Sequence, residues 1–212
     1  MYKLFEIVLD FFFPPACSIC GKIYKGYLCE ECKKEIEKYK IKTNIRSERF
    51  HLLVYEDLIR EKMIQYKFYD NPYLYHFFYE ILINDKSACE FLKSYDIIIP
   101  VPIHNKRRKE RGYNQSALIA KEFSKNINEL EYEDILIKKK NAIAQSTLNK
   151  EERLKNAIDM YKIKENKQDI IYNKNVLIFD DIYTTGATAN ECAKAIRGAN
   201  SNKIGVLTIA KD

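Results

Sequence analysis

Residues 176–188 read Val176-Leu177-Ile178-Phe179-Asp180-Asp181-Ile182-Tyr183-Thr184-Thr185-Gly186-Ala187-Thr188. The first four side chains are apolar, which is typical of a strand covered on both faces of a parallel sheet. Two adjacent carboxylates do not belong inside such a core, so Asp180 and Asp181 should mark its carboxyl edge, where open α/β sheets bind ligands. The stretch therefore predicts a buried strand that leads into a polar turn and then into a helix.

The turn after the acidic pair has the composition of a phosphate-binding loop. Thr184, Thr185 and Thr188 offer hydroxyl groups. Gly186 lets backbone N–H groups approach an anion, which the positive end of the following helix also attracts. A sugar phosphate suits this arrangement, with its 5-phosphate on the loop and its ribose hydroxyls on the two aspartates. The alternative is an ordinary strand-turn-helix with a polar N-cap, although capping alone rarely needs paired acids and a hydroxyl-rich turn.

The whole pattern of apolar strand, acidic pair and Thr-Gly-x-Thr resembles the phosphoribosyl-pyrophosphate (PRPP) signature of type I phosphoribosyltransferases. The resemblance implies a phosphoribosyltransferase-like fold. It also implies a PRPP-binding segment, whose members are Asp180, Asp181, Tyr183, Thr184, Thr185, Gly186, Ala187 and Thr188.

The composition is that of a globular protein with one domain and an appendage, or with two small domains. Of the 212 residues 46% are hydrophobic, and 36 basic against 30 acidic residues give a net charge of +6. This moderate charge permits a polyanionic partner without requiring one. No stretch reaches the ~18 apolar residues of a membrane helix. The apolar segment 1–13 is interrupted by Glu6 and Asp10 and is expected to be an amphipathic helix, so we expect a cytoplasmic protein.

Four of the six cysteines form two C-x-x-C pairs: Cys17, Cys20, Cys29 and Cys32. Such pairs let four thiolates converge tetrahedrally on one Zn²⁺. The competing interpretation of two disulfides is disfavoured in a reducing compartment, and a redox motif would need only one pair. Because the protein would supply all four ligands, the zinc site is expected to be structural. Cys89 and Cys192 stand alone and are expected to be small buried hydrophobic residues.

Strands and helices should alternate along the rest of the chain, which predicts an α/β fold with a doubly wound parallel sheet. The main strands are expected at 51–55, 95–102, 176–179 and 204–210, with short strands at 135–137 and 158–163. The main helices are expected at 56–67, 73–83, 115–128 and 187–197. We therefore divide the chain into an N-terminal helix with a Cys₄ zinc ribbon (1–45) and a phosphoribosyltransferase-like domain (46–212).

A basic loop should face the same edge of the sheet as the acidic pair. It follows the 95–102 strand, and its cationic residues are Lys106, Arg107, Arg108, Lys109 and Arg111. In this position the loop can neutralise a pyrophosphate, which arginine contacts bidentately. The alternatives are a solvated basic loop and contact with nucleic-acid phosphates. The second is compatible with pyrophosphate binding, because the cluster is larger than one pyrophosphate requires.

A polar segment at residues 141–156 lies between two predicted short strands and is expected to be a mobile lid. Arg153 would be its phosphate-binding residue. A lid matters at a PRPP site because an oxocarbenium-like centre must be protected from water.

Taken in order, these features resemble the ComF family, in particular its ComFC-like members, over essentially the whole chain. Besides the cysteine pairs and the 176–188 signature, the matching positions are Arg107, Arg111, Gly112, Tyr113, Asn114, Gln115, Gln145, Leu148, Arg153 and Asn156. One departure is the Lys-Lys-Lys-Asn-Ala-Ile-Ala run at 138–144, where the family carries an Arg-x-x-x-Thr-x-x-Gln run. The alignment of that stretch is therefore anchored at Gln145.

The resemblance implies a PRPP-binding protein that serves single-stranded DNA uptake in natural transformation, with a ComFA-like helicase as partner and no membrane insertion. The alternatives are an active phosphoribosyltransferase with an unidentified base or amine acceptor, and a PRPP-sensing interaction protein. In an enzyme, Asp180 and Asp181 would hold the ribose hydroxyls directly or through Mg²⁺. Arg107 and Arg111 would stabilise the departing pyrophosphate, and Arg153 would join them from the lid.

Overall fold

A computed structural model describes residues 15–69, 71–138 and 160–212. Its centre is a sheet of five strands: Arg49–Val54 (β1), Ile97–Pro100 (β2), Glu131–Tyr132 (β3), Asn175–Tyr183 (β6) and Lys203–Lys211 (β7). The strand order is β1-β7-β6-β2-β3, and each neighbouring pair is parallel. Two further strands, Leu136–Lys138 (β4) and Tyr161–Ile163 (β5), form a separate antiparallel pair.

The α-helices in the described ranges are Glu30–Glu37 (α1), Asp57–Phe68 (α2), Leu74–Ile83 (α3), Lys86–Leu92 (α4), Asn105–Arg111 (α5), Gln115–Asn126 (α6) and Ala187–Arg197 (α7). A 3₁₀ turn at Gln168–Ile171 precedes β6. None of these helices combines the length and the apolar content of a membrane span.

Helices cover both faces of the sheet, as the signature strand illustrates. Leu177 and Phe179 of β6 belong to the core shared with α2, α3, α4 and α6, whereas Val176 and Ile178 belong to the core shared with α7. The rings of Phe123 on α6 and Phe179 make an edge-to-face contact, with their centroids 5.7 Å apart. Since all four strand residues are fully buried, the continuous apolar run is explained by burial on both sides. The predicted α/β class with a doubly wound parallel sheet is confirmed.

The basic segment is a helix, so the prediction of a loop at this position was wrong. Helix α5 begins after His104, whose Nδ1 accepts the N–H of Lys106 at 3.2 Å. It ends at Gly112, which adopts the left-handed conformation with φ +79°. Lysine and arginine are good helix formers, and positive charge near a helix C-terminus is favourable. The segment thus has a helix start signal at His104 and a stop signal at Gly112. Its many charges had favoured the interpretation as a loop.

Two strand predictions also need correction. Strand β6 does not end at Phe179 but runs through the acidic pair to Tyr183, because it stays paired with β7 as far as Lys211. The strand expected at 158–163 is observed at 161–163, and it pairs with β4 instead of joining the parallel sheet. Residues 158 and 159 lie outside the described residues.

The cysteine-rich segment packs against helix α3. The ring of Tyr27 stacks on His76 at 4.3 Å, and the Tyr27 N–H donates to Glu80 Oε2 at 2.9 Å. Leu28 and Ile36 are buried in the same apolar cluster as the body of the protein. A domain boundary near residue 45 stays a prediction, and the expected helix at 1–13 lies outside the described residues.

Candidate functional site

A cleft of about 810 Å³ opens at the carboxyl ends of β2 and β6. Its charged and polar lining residues are Tyr55, Lys67, His104, Lys106, Arg107, Glu110, Arg111, Gln115, Ser116, Lys138, Tyr161, Asp180, Asp181 and Thr188. This is the edge at which open parallel sheets bind ligands. The predicted acidic pair, two predicted arginines and one predicted threonine therefore share one cleft.

Asp180 is held by its immediate neighbours. Its Oδ1 accepts the Ser116 hydroxyl at 3.3 Å and the Asp181 N–H at 2.9 Å. Burial and the adjacent Asp181 carboxylate raise the pKa of Asp180 above its ordinary value. A ligand that brings positive charge or hydroxyl donors to this carboxylate would favour its ionised form.

Asp181 forms an ion pair that the sequence did not reveal. Its Oδ1 lies 2.8 Å from Nζ of Lys67, and the two side chains are 13% and 19% exposed. Lys67 is in the last turn of α2 and belongs to no motif. In the sequence, Lys67 is marked only by the helical pattern of residues 56–67. That pattern predicts a helix packed on the sheet and does not predict a ligand contact.

The predicted phosphate loop leads from β6 into helix α7. Gly186 is the N-cap residue and has φ +78°, a conformation that side-chain-bearing residues rarely adopt. A Cβ at this position would also clash with the hydroxyl of Tyr183. Thr188, in the first turn of α7, lines the cleft, whereas Thr184 and Thr185 are exposed. The loop therefore presents hydroxyls and a helix N-terminus beside the acidic pair.

Strand β1 supports the loop from the side. Arg49 donates from Nη1 to the Tyr183 hydroxyl at 2.6 Å and from Nη2 to Asn190 Oδ1 at 2.9 Å. His51 lies 4.4 Å from the Tyr183 ring, and its Nδ1 is 2.8 Å from the Thr208 hydroxyl oxygen. Burial and the nearby cations lower the pKa of His51 to about 4. No local sequence pattern marked Arg49, His51, Asn190 or Thr208 as part of this support.

Helix α5 distributes the predicted basic residues over different surfaces. Lys106, Arg107 and Arg111 line the cleft, and the Arg111 guanidinium lies 5.4 Å from the centroid of the exposed Phe68 ring. Arg108 faces a neighbouring groove instead. Lys109 lines neither of these two surfaces.

The residues after α5 fix the start of α6. The side chain of Asn114 caps the helix, since its Oδ1 accepts the Ser116 N–H at 3.1 Å. The Tyr113 hydroxyl donates to the backbone carbonyl of Tyr66, and the Tyr66 hydroxyl donates to the Gln115 carbonyl at 2.9 Å. These bonds tie α6 to α2, so that the first turn of α6 is held against the cleft.

The lid predicted at 141–156, with Gln145, Leu148, Arg153 and Asn156, lies outside the described residues. The strands that flank it are described, and both contribute to the cleft. Lys138 at the end of β4 and Tyr161 at the start of β5 line it, with the lysine Nζ 5.5 Å from the ring centroid.

The four predicted zinc ligands come together. The sulfur atoms of Cys17, Cys20, Cys29 and Cys32 all lie within 4.8 Å of one another, and that of Cys20 is 3.8 Å from that of Cys29. Zn–S bonds of about 2.3 Å in a tetrahedron separate sulfurs by about 3.8 Å, so the cluster fits a zinc ion. Burial and the adjacent sulfurs of Cys29 and Cys20 raise the pKa of Cys32. A bound cation is what allows four such thiols to be thiolates together.

Comparison with curated proteins gives relatives over most of the chain. Competence protein F of Haemophilus influenzae is 27% identical over 199 residues, which cover 93% of this chain and 85% of that protein. Competence protein ComFC of Bacillus subtilis is 27% identical over 187 residues, which cover 85% of this chain and 70% of that protein. The chain is thus similar over most of its length to proteins named competence protein F or ComFC. The predicted resemblance is thereby confirmed.

The N-terminal part of the chain has a match of its own. Residues 8–43 match the double zinc ribbon domain family. This agrees with the four converging sulfurs and supports the prediction of a structural zinc.

Solved structures similar to this chain include phosphoribosyltransferases. A hypoxanthine phosphoribosyltransferase from Staphylococcus aureus is 15% identical with a TM-score of 0.39, covering 66% of this chain and 63% of that one. A purine phosphoribosyltransferase from Pyrococcus horikoshii is 14% identical with a TM-score of 0.36, covering 78% and 79%. A match to the allosteric regulatory enzyme of purine biosynthesis has a TM-score of 0.37 and covers 54% of this chain but 22% of that one.

A second, basic surface lies beside the cleft, and we call it the lysine groove. It measures about 680 Å³ and shares Lys138 with the cleft. Its basic residues are Arg108, Lys121, Lys138, Lys162 and Lys164. The Lys121 Nζ lies 5.4 Å from the centroid of the Tyr132 ring, and Asp134 pairs with Lys164 at 3.5 Å. Positive charge therefore continues from the cleft around α5.

Proposed function

We propose that the cleft binds PRPP. The observation that carries this proposal is the convergence of the 176–188 segment and helix α5, which are far apart in the chain, on one cleft. The acidic pair of β6 suits the ribose hydroxyls, and the loop before α7 suits the 5-phosphate. Arg107 and Arg111 of α5 suit the pyrophosphate. Each part of PRPP thus has a group of matching charge and hydrogen-bonding capacity.

The carboxylates of Asp180 and Asp181 also fit a magnesium ion that accompanies PRPP. Carboxylate oxygens are ligands that Mg²⁺ accepts, usually together with substrate phosphates and water. When bound, the ion would neutralise charge on the pyrophosphate. Lys67 forms an ion pair with Asp181. A magnesium ion that binds Asp181 would therefore share this carboxylate with Lys67 or displace the lysine from it.

Thermal unfolding tests PRPP binding directly. A ligand that binds the folded state at 100 times its Kd stabilises the protein by about 2.7 kcal/mol, so Mg-PRPP should raise the Tm of the wild type. The double variant Asp180→Asn/Asp181→Asn should not respond. The matched control is Asp169→Asn, which changes an exposed aspartate outside the cleft. An equal rise in Tm for wild type and double variant would contradict the proposal.

We further propose a role in the handling of single-stranded DNA in natural transformation. The names of the relatives support this context, and the lysine groove supports contact with a polyanion. Five cationic side chains line the groove, and Tyr132 offers an aromatic face for a base. A cytoplasmic location and a ComFA-like helicase partner belong to the same proposal.

The salt dependence of DNA affinity tests this role. If lysine-groove residues contact phosphates, log Kobs should fall with log salt, at about 0.7 per phosphate contact. Arg108→Ala/Lys121→Ala/Lys162→Ala should weaken binding and reduce the slope. A triple variant of exposed lysines elsewhere, Lys25→Ala/Lys34→Ala/Lys38→Ala, is the control. Binding to single-stranded DNA with no salt dependence would contradict the proposal.

Phosphoribosyl transfer is the second candidate activity, favoured by the cationic groups at the pyrophosphate end of the cleft. In such a transfer the C1–oxygen bond to pyrophosphate breaks, a bond from C1 to the acceptor forms, and the acceptor loses a proton. Lys67, Arg107 and Arg111 would stabilise charge on the leaving group. Pyrophosphate release with a panel of nucleobases and amines tests this activity, and release that depends on Asp180 and Asp181 would support it.

A further inference from the structure

Gln115 differs from every other polar residue of the cleft. It is the first residue of α6, it lines the cleft, and only 1% of its surface is exposed. Neither its Nε2 nor its Oε1 has a hydrogen-bond partner among residues 15–69, 71–138 and 160–212. A buried carboxamide without partners destabilises a folded protein, because both of its polar atoms lose their water.

The position of this carboxamide is fixed by its own backbone. The Gln115 carbonyl accepts the Tyr66 hydroxyl at 2.9 Å, and Asn114 caps the helix turn that follows. Tyr66 itself is fully buried. The end of the helix would have to break these hydrogen bonds before it could move and expose the side chain of Gln115 to solvent. Such a fixed and unpartnered polar group indicates that a ligand supplies its partners.

The two free atoms restrict the chemistry of that ligand. The Nε2 group donates and the Oε1 atom accepts, so both are satisfied only by a group that can accept and donate. A phosphate oxygen would accept from Nε2 but would oppose Oε1. A metal ion or an ammonium group would suit Oε1 alone. Hydroxyl groups meet both requirements.

The neighbouring residues point to sugar hydroxyls. Ser116, which follows Gln115, donates to the Asp180 carboxylate at 3.3 Å. Gln115 lines the same cleft as Asp180, the carboxylate that we propose for the ribose. We propose that Gln115 is a specificity-determining residue that hydrogen-bonds the ribose hydroxyls and selects ribose over 2-deoxyribose. This inference rests on the proposed binding of PRPP and adds the discrimination between sugars.

Calorimetric titration with three probes tests the inference. The probes are ribose 5-phosphate, 2-deoxyribose 5-phosphate and magnesium pyrophosphate. The wild type should prefer ribose 5-phosphate by about tenfold, as expected for one or two hydrogen bonds. Gln115→Leu should weaken the binding of ribose 5-phosphate by about tenfold and that of 2-deoxyribose 5-phosphate less, so that the preference for ribose shrinks, while pyrophosphate affinity should stay within about twofold. Gln168→Leu, at an exposed position outside the cleft, is the matched control.

Stability separates this role from a structural one. Because the substitution removes an unpartnered buried polar group, Gln115→Leu without ligand should have a Tm at least equal to that of the wild type. Gln115→Met provides a second apolar side chain of similar length if leucine does not fit. A lower Tm together with equal weakening of both sugar phosphates would overturn the inference.

The outcomes also distinguish this inference from the proposal on which it rests. If the wild type binds pyrophosphate and ribose 5-phosphate but Gln115→Leu keeps the full preference for ribose, only the role of Gln115 is overturned. If the wild type binds none of the three probes, PRPP binding and the role of Gln115 are overturned together.

Discussion

At the scale of single residues, the two carboxylates of the acidic pair have different partners. Asp180 has hydrogen-bond donors and a raised pKa, whereas Asp181 has the ammonium group of Lys67 as its partner. Neighbouring carboxylates repel each other unless one is protonated or a cation compensates. Lys67 is the cation that compensates negative charge at Asp181 beside Asp180.

Replacing Lys67 tests this compensation. We predict that Lys67→Met destabilises the protein by about 1–3 kcal/mol, because it leaves a largely buried carboxylate without its cation. The same replacement in an Asp181→Asn background should cost much less, which a double-mutant cycle of chemical denaturation measures. Additive costs would show that the two residues do not interact in solution.

A second prediction at this scale concerns pH. The pKa of His51 is lowered to about 4 by burial and by Lys211 and Arg49, compared with about 6.5 in an unfolded chain. As pH falls, the unfolded state therefore takes up the proton at a higher pH than the folded state does. The stability that neutral His51 contributes is fully present above about pH 6.5 and is lost as the pH falls from about 6.5 to about 4. The loss is on the order of 3 kcal/mol.

Denaturation curves from pH 4 to pH 7 measure this loss. His51→Gln should flatten the slope in that window, because the variant has no imidazole to protonate. His104→Gln, at an exposed helix cap, should keep the wild-type slope. A wild-type slope in His51→Gln would contradict the assignment.

At the scale of secondary-structure elements, the sequence predicted those parts of the site whose residues are consecutive in the chain. The strand, the acidic pair and the loop are all within residues 176–188, and their order alone predicts their arrangement. Lys67 is 114 residues from its partner Asp181, and Arg49 is 134 residues from Tyr183. Such contacts depend on how β1 and α2 pack on the sheet, which no local pattern encodes. The helical state of α5 was missed for another reason, since its charges suggested a solvated loop.

The turn between β6 and α7 gives a prediction with a control in the same helix. Gly186→Ala combines an unfavourable φ of +78° with a clash against Tyr183, which Arg49 holds in place. We expect a loss of about 1–3 kcal/mol in stability and weaker binding of phosphate. Gly198→Ala, where φ is −62° and the nearest atom lies at 3.6 Å, should be neutral or slightly stabilising. Equal effects of the two changes on Tm would contradict the turn geometry.

At the scale of the whole molecule, the cysteine-rich segment and the sheet share one apolar core. Cys17, Leu28 and Ile36 are buried in the same cluster as Phe77 and Phe78 of α3. Tyr27 adds a stacking contact and a backbone hydrogen bond to that helix. Loss of order around the four sulfurs would therefore expose apolar surface of α3, so that zinc binding and the stability of the body are coupled.

Removal of a zinc ligand should consequently unfold more than the ribbon. We predict about one zinc per chain in the wild type and its loss in Cys29→Ser, with a decrease in stability of about 3 kcal/mol or more. For a chain of this length that corresponds to a Tm lower by about 6–12 °C. Cys89→Ser is the control, because Cys89 lies outside the cluster and serine keeps a donor for the Ile83 carbonyl. If Cys29→Ser lost its zinc but kept the wild-type Tm, the ribbon would be a separate unit that stabilises only itself.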